Sequence, residues 1–238
     1  MDISLRQQNL LEKIVQEYIN TAQPVSSGFL QDKYDFEICP ATIRNEMQAL
    51  TWAGYIFQSH TSAGRMPTDK GYRFFVDNFL EKDAYDFLSL DNIEKIFNKK
   101  EQDIFKLSKQ LASFLAEACS GLAILFVLQD DMMFEQGWAQ VLKEPEFENK
   151  EFTLNFIEFL QDFEKDIKDL KINSKTKVYI GKENPIEKAQ DLSIILSMYH
   201  LPDKGKQKQD GIISIIGPKR MPYQKNISLI NSIIRFLE

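Results

Sequence analysis

The stretch PATIRNEMQALTWAGYIFQSHTSAGRMPTDKG, residues 40–71, decides how the chain is read. Its first part has a helical pattern. Proline suits the first helical position, where the missing N–H costs no bond. Ile43, Met47 and Leu50 recur at +4 and +3 and form one apolar stripe. At about 100° per residue, Ala41, Arg44, Asn45, Gln48 and Trp52 fall on the other side. Gly54 is placed to end the helix. Tyr55–Gln58 and Arg65–Pro67 then read as two short strands around a loop of small residues. From His60 to Arg73, three basic residues, Arg65, Lys70 and Arg73, face one acid, Asp69.

Working outward, Leu5–Thr21 reads as a helix with Leu11, Ile14, Val15 and Tyr18 on one face. Ser4 followed by Gln7 is a capping-box pattern, and Gln23-Pro24 ends the helix. Ser26 or Ser27 can cap a second, short helix carrying Phe29 and Leu30. Cys39 is a poor cap for the third, whose start should fray slightly. Thr68 can cap a fourth, Asp69–Leu80, with Tyr72, Phe75, Val76 and Phe79 as its stripe. Three helices, a strand, a loop and a second strand make a winged helix-turn-helix.

Residues 81–103 are charged and read as a partly helical connector. Beyond them the pattern gives helices at Ile104–Cys119, Phe134–Leu142, Phe152–Leu170 and Tyr223–Leu237. Strands are expected at Leu122–Leu128, Lys177–Ile180, Leu192–His200 and Gly211–Ile216, the last two joined by the polar hairpin LPDKGKQKQD. The expected class is α+β, divided into a winged helix over 1–80, a connector over 81–103 and a small antiparallel sheet with helices over 104–238.

Composition narrows the function. At 238 residues, 43% hydrophobic and 27% charged, the chain is ordinary for a globular protein. The opening residues MDISLRQQNLLEKIV are too polar for a signal peptide. The longest apolar run, Leu122–Leu128, is far short of the ~18–20 residues of a membrane span, so a cytoplasmic protein is expected. Cys39 and Cys119 stand 80 positions apart with no CxxC and read as two reduced, half-buried thiols. With only His60 and His200 beside them, no zinc spacing exists. No GxSxG, P-loop or GxGxxG is present, and Asp162, Glu164 and Asp166 alternate with lysines as a solvated face. No enzyme, cofactor or metal site is expected. The net charge of −6 argues against indiscriminate DNA binding, which depends on Lys and Arg displacing counterions. A local positive patch can still bind phosphate and leaves more of the work to base contacts.

PATIRNEM (Pro40 to Met47) followed by HTSAGRMPTDKGYRFFVD (His60 to Asp77) resembles the HrcA family of heat-inducible transcription repressors. The blocks QEYINTAQPVSS, GWAQVLKEPEF, GKENPIEKAQDLSII and GIISIIGPKRMPYQKNISLI extend the resemblance over most of the chain. It implies a homodimer that binds an inverted-repeat operator in double-stranded DNA upstream of chaperone genes. It also implies dependence on the GroE-type chaperonin, and a GAF-like second domain interrupted by a dimerisation module. Three departures stand out. Gly28 occupies a position that is usually basic, and Cys39 replaces a usual Ser cap. Only Gln129–Met133 separates two blocks that family members hold far apart, which predicts a reduced GAF-like domain without the module.

The candidate DNA-contacting residues follow from chemistry. Arg44, Asn45 and Gln48 are suited to base edges, Arg to guanine and Asn or Gln to adenine. Thr42 lies at the helix N-terminus, where N–H groups favour phosphate. His60, Thr61, Ser62 and Arg65 would line the wing along a minor groove or backbone. Lys70 and Arg73 would clamp phosphate. Two rival readings keep the same first domain: a second domain that senses a small molecule, or a winged helix that binds protein. The second rival draws on the balance of residues 1–77, with seven basic and nine acidic side chains.

Overall fold

The computed structural model describes residues 3–36, 38–60, 63–80, 104–119, 121–170, 172, 175–201 and 209–237. The chain forms two compact units, Met1–Leu80 and Glu81–Glu238. The connector at 81–103 and the hairpin tip at 202–208 lie outside the described residues.

In the first unit, α1 (Leu5–Thr21) begins with the capping box: Ser4 Oγ accepts from Gln7 N at 3.3 Å, and Gln7 Oε1 accepts from Ser4 N at 3.0 Å. Its buried face is Leu10, Leu11, Ile14 and Val15. Tyr18, expected on that face, is only half-buried. Ser26 Oγ caps the short α2 (Ser27–Lys33) by accepting from Phe29 N at 3.1 Å. Helix α3 (Pro40–Trp52) buries Ile43, Met47 and Leu50, and Cys39 makes no side-chain bond to its free N–H groups. Gly54, at φ +77°, ends it in a Schellman turn, with Gly54 N bonded to Thr51 O and Tyr55 N to Leu50 O.

Two short strands follow, β1 (Ile56–Phe57) and β2 (Met66–Pro67), paired antiparallel. An isolated bridge between Val25 and Arg65 adds a third strand segment to this pair. Helix α4 (Asp69–Phe79) is capped by Thr68, whose Oγ1 accepts from Gly71 N at 3.1 Å and donates to Gly54 O at 2.7 Å. One hydroxyl thus ties the end of α3 to the start of α4.

The second unit contains a five-stranded antiparallel sheet in the order β4-β3-β7-β6-β5. In chain order its elements are α5 (Ile104–Ala118), β3 (Leu122–Val127), β4 (Met132–Gln136), α6 (Trp138–Val141), α7 (Lys150–Asp169), β5 (Lys177–Ile180), β6 (Leu192–Leu201), β7 (Gln209–Pro218) and α8 (Tyr223–Leu237). Leu122, Ile124 and Phe126 of β3 join Ile194 and Leu196 of β6 against Phe156, Phe159 and Phe163 of α7. The alternate positions face the other layer, where α5 packs on β3 and α8 on β6. Covered on both faces, β3 is buried along its whole length. That is why it reads as an unbroken apolar run rather than an alternating one. The molecule is therefore mixed α and β with an antiparallel sheet, and no described helix is long and apolar enough to cross a membrane.

Two sequence expectations need correction. Phe134–Leu142 is not one helix: Met132–Gln136 is an edge strand, and only Trp138–Val141 is helical. Pairing with β3 overrides the helix preference of Met and Glu. The turn before it places Asp131 at φ +55°. The cysteines are both free but not alike, since Cys39 is exposed and Cys119 buried.

Two of the sequence blocks that carry the resemblance, GWAQVLKEPEF and GIISIIGPKRMPYQKNISLI, are tied together by charge. Arg220, nine-tenths buried, forks onto Glu146 at 2.7 and 3.0 Å and also pairs with Glu144. In the GKEN block, the buried Asn184 Nδ2 lies within bonding distance of the carbonyls of Gly181, Ala189 and Leu192. It pins the loop that leads into β6.

Candidate nucleic-acid interface

Helix α3 turns Ile43, Met47 and Leu50 inward and leaves the opposite side open. Arg44 and Asn45 are exposed and bond to none of the described residues. Gln48, one turn on, is half-buried. Glu46 is the only carboxylate on α3, and it is held from α1 by Gln7 Nε2 at 2.9 Å and Arg6 Nη1 at 3.4 Å. The exposed side of α3 therefore carries no neighbouring acid of its own.

Arg65 brings the β1–β2 segment against this helix. Its backbone is bonded both ways to Val25, at 2.9 and 2.8 Å. Its guanidinium reaches α3, with Nε donating to Thr51 Oγ1 at 3.1 Å and Nη2 to Gln48 Oε1 at 3.3 Å. Arg44, Gln48, Gln58, Arg65, Ser26 and Ser27 share the wall of a groove of about 360 Å³. Gly64 also lines it, and it is small because a methyl there would sit 2.6 Å from the Pro24 carbonyl. The close approach that glycine permits is to the chain's own backbone.

The remaining candidates divide. His60 is exposed, its Nδ1 3.0 Å from Ser59 Oγ. Thr61 and Ser62 lie outside the described residues. Thr42 is half-buried, its hydroxyl 3.2 Å from the Cys39 thiol. That hydroxyl, with the amide N–H groups of the helix start, holds the Cys39 thiol below its ordinary pKa of 9.0. Lys70 stacks 4.1 Å from the Tyr55 ring and donates to Ala53 O at 2.8 Å, which closes the C-terminus of α3. Arg73 pairs with Asp77 at 3.1 Å, one turn along α4. Both residues expected to clamp phosphate are thus engaged within the chain.

Several contributors escape a reading by residue type. Gln58 Nε2 donates to Ala63 O at 2.6 Å and steadies the loop. Trp52 is 81% exposed on the same side of α3 as Arg44 and Gln48. The helical spacing places it on that side, and only its apolar chemistry kept it out of the candidate contacts.

Residues 76–227 match the family model described as the HrcA protein C terminal domain. The heat-inducible transcription repressor HrcA of Thermodesulfovibrio yellowstonii is 26% identical, over 98% of this chain and 96% of that protein. The protein of the same description from Alkaliphilus metalliredigens is 40% identical over 49% of this chain and 34% of its own length. A solved crystal structure of a hypothetical protein shares the fold, with a TM-score of 0.76 and 20% identity over 99% of this chain and 96% of that one. The family model alone spans more than half of the residues, and the chain belongs to the HrcA family.

Proposed function

We propose that the chain is a heat-inducible, DNA-binding transcription repressor whose first unit, residues 1–80, works as a winged helix. Helix α3 enters the major groove, and the loop between β1 and β2 lies against the neighbouring backbone. One observation carries the reading: Arg44 and Asn45 stand exposed opposite the buried Ile43, Met47 and Leu50 and bond to none of the described residues, while Glu46, the one carboxylate of α3, is held by Gln7 and Arg6 of α1. Base-edge contacts need donors and acceptors of this kind held on a rigid helix. Thr42, His60, Thr61 and Ser62 supply phosphate contacts in this reading. Lys70 and Arg73 act mainly as braces.

In this reading 81–103 is a connector and 104–238 a reduced GAF-like domain. The protein is cytoplasmic and acts as a homodimer on an inverted repeat, its half-site spacing set by the distance between the two copies of α3. Its activity is modulated by the GroE-type chaperonin. The test is a gel-shift series on a randomised operator library. Arg44→Ala is expected to lose roughly 1–3 kcal/mol of discrimination at one base position. Selectivity left unchanged by Arg44→Ala would remove α3 from the groove.

A further inference from the structure

Arg65 and Gln48 are 17 positions apart in sequence but joined by a hydrogen bond. The arrangement is rigid at both ends. The Arg65 backbone is locked to Val25, and its Nε donates to Thr51 Oγ1, which in turn donates to Met47 O at 2.9 Å. The second arm of the guanidinium meets the Gln48 amide in the groove that also holds Arg44.

A free glutamine amide can rotate to present either its oxygen or its nitrogen. A guanidinium has five donors and no acceptor, so only the oxygen of Gln48 can face Arg65. The amide is thereby oriented. Its Nε2 bonds to none of the described residues and keeps two donors to offer. Bidentate pairing with adenine needs the amide oxygen turned to the N6 amino group as well as the nitrogen to N7; the oxygen keeps a second lone pair, but the bond from Arg65 occupies the first and fixes the direction in which the oxygen points. Guanine presents two acceptors, O6 and N7, and asks only for donors.

We propose that Arg65 is a positioning residue that turns the Gln48 oxygen to itself and the Gln48 NH2 group to the base, selecting guanine over adenine at the base it meets. This rests on the reading that α3 enters the major groove, and it goes beyond it by assigning base preference to a residue outside α3. Arg65 then contributes to specificity through Gln48 and not only through its charge.

The experiment measures Kd on the selected operator and on its single guanine-to-adenine variants. The protein is full-length, as wild type, Arg65→Met, Arg65→Lys, Gln48→Ala and the Arg65→Met/Gln48→Ala double variant. Wild type is expected to favour guanine by about tenfold at one position, as one well-made base contact allows. Arg65→Lys, still a donor without an acceptor, is expected to keep that preference. Arg65→Met is expected to lose it at that position, and to add nothing to the loss in a Gln48→Ala background. Arg65→Gln, which can present either group to Gln48, replaces Arg65→Met should that variant not fold. A uniform fall in affinity on every operator, with the guanine preference intact, would overturn the proposal. Failure of the parent reading is separate, because it appears in Arg44→Ala before any Arg65 variant is made.

Discussion

Glu17 is a carboxylate only 3% exposed on α1, and it is not alone there. Lys33 Nζ reaches both its oxygens, at 2.7 and 2.8 Å, and the Tyr34 hydroxyl donates to it as well. Burial alone would raise its pKa, but the hydrogen bonds from Lys33 and Tyr34 and the charges of Lys33 and Lys13 outweigh it. The group is held below its ordinary 4.5. Burial and the same carboxylate push the Tyr34 hydroxyl up to about 12. A depressed carboxylate stabilises the fold above its unfolded pKa and ceases to do so as the pH falls through its folded value. Glu17→Gln is therefore expected to cost about 1.5–3 kcal/mol at most in urea titrations at neutral pH, the range for hydrogen bonds to a charged group, with the exposure of Lys33 placing it toward the lower end. Its deficit relative to wild type should shrink as the pH drops below 4.5. The two thiols offer a second check. Cys119 is buried, and its pKa is pushed up to about 11, while Cys39 is exposed and depressed. One thiol per chain should react with a disulfide reagent in the native state, and two after denaturation. The hint of Glu17 in the sequence is its place three residues after Ile14, on the apolar stripe of α1. Its partners are 16 and 17 positions away, beyond the reach of any local pattern.

At the scale of elements, the ends of α1 and α3 were legible because caps and breakers act within a few residues. Ser4, Gln7, Thr68 and Gly54 all do in the structure what their spacing suggests. The apolar stripe of α3 was legible for the same reason, and with it the exposed face that carries Arg44 and Asn45. Strand β4 was not, because an edge strand of five residues has only one neighbour to enforce it and a sequence, MMFEQ, that would accept a helix. Nor was the engagement of Lys70 with Ala53 and of Arg65 with Gln48, since each joins side chains to groups 17 positions distant. Gly71 shows how tightly α4 is seated. A methyl at this position would overlap the carbonyl oxygen of Tyr55. Gly71→Ala is expected to cost about 1–3 kcal/mol or more, because backbone cannot yield as a flexible side chain would. Thermal melting of the variant measures this. A loss in line with the small changes seen at open surface positions would show that α4 can shift away.

At the scale of the molecule, the alignment with the Thermodesulfovibrio relative runs over 338 positions, whereas this chain has 238 residues. At least 100 of those positions therefore face a gap in this chain. Despite that, the sheet of the second unit is continuous. The Val127–Met132 pair closes directly around Leu128–Asp131, and Lys168 of α7 pairs with Asp131 in that turn. The resemblance leads one to expect a long insertion at this place, and the hairpin needs none to complete its strand pairing.

The two tryptophans fall one to each unit. Trp52 stands in water on α3, while Trp138 packs edge-on against Phe156 and donates to Glu135 at 3.2 Å. An indole already surrounded by solvent changes its emission little when the chain around it melts. A denaturation curve followed by intrinsic fluorescence would therefore track the sheet-bearing unit and be nearly blind to the other, whereas circular dichroism would sum both. Disagreement between the two curves would then arise from where the fluorophores sit, without a partly folded species. A Trp138→Phe variant, whose emission should stay almost flat through the transition, separates these explanations.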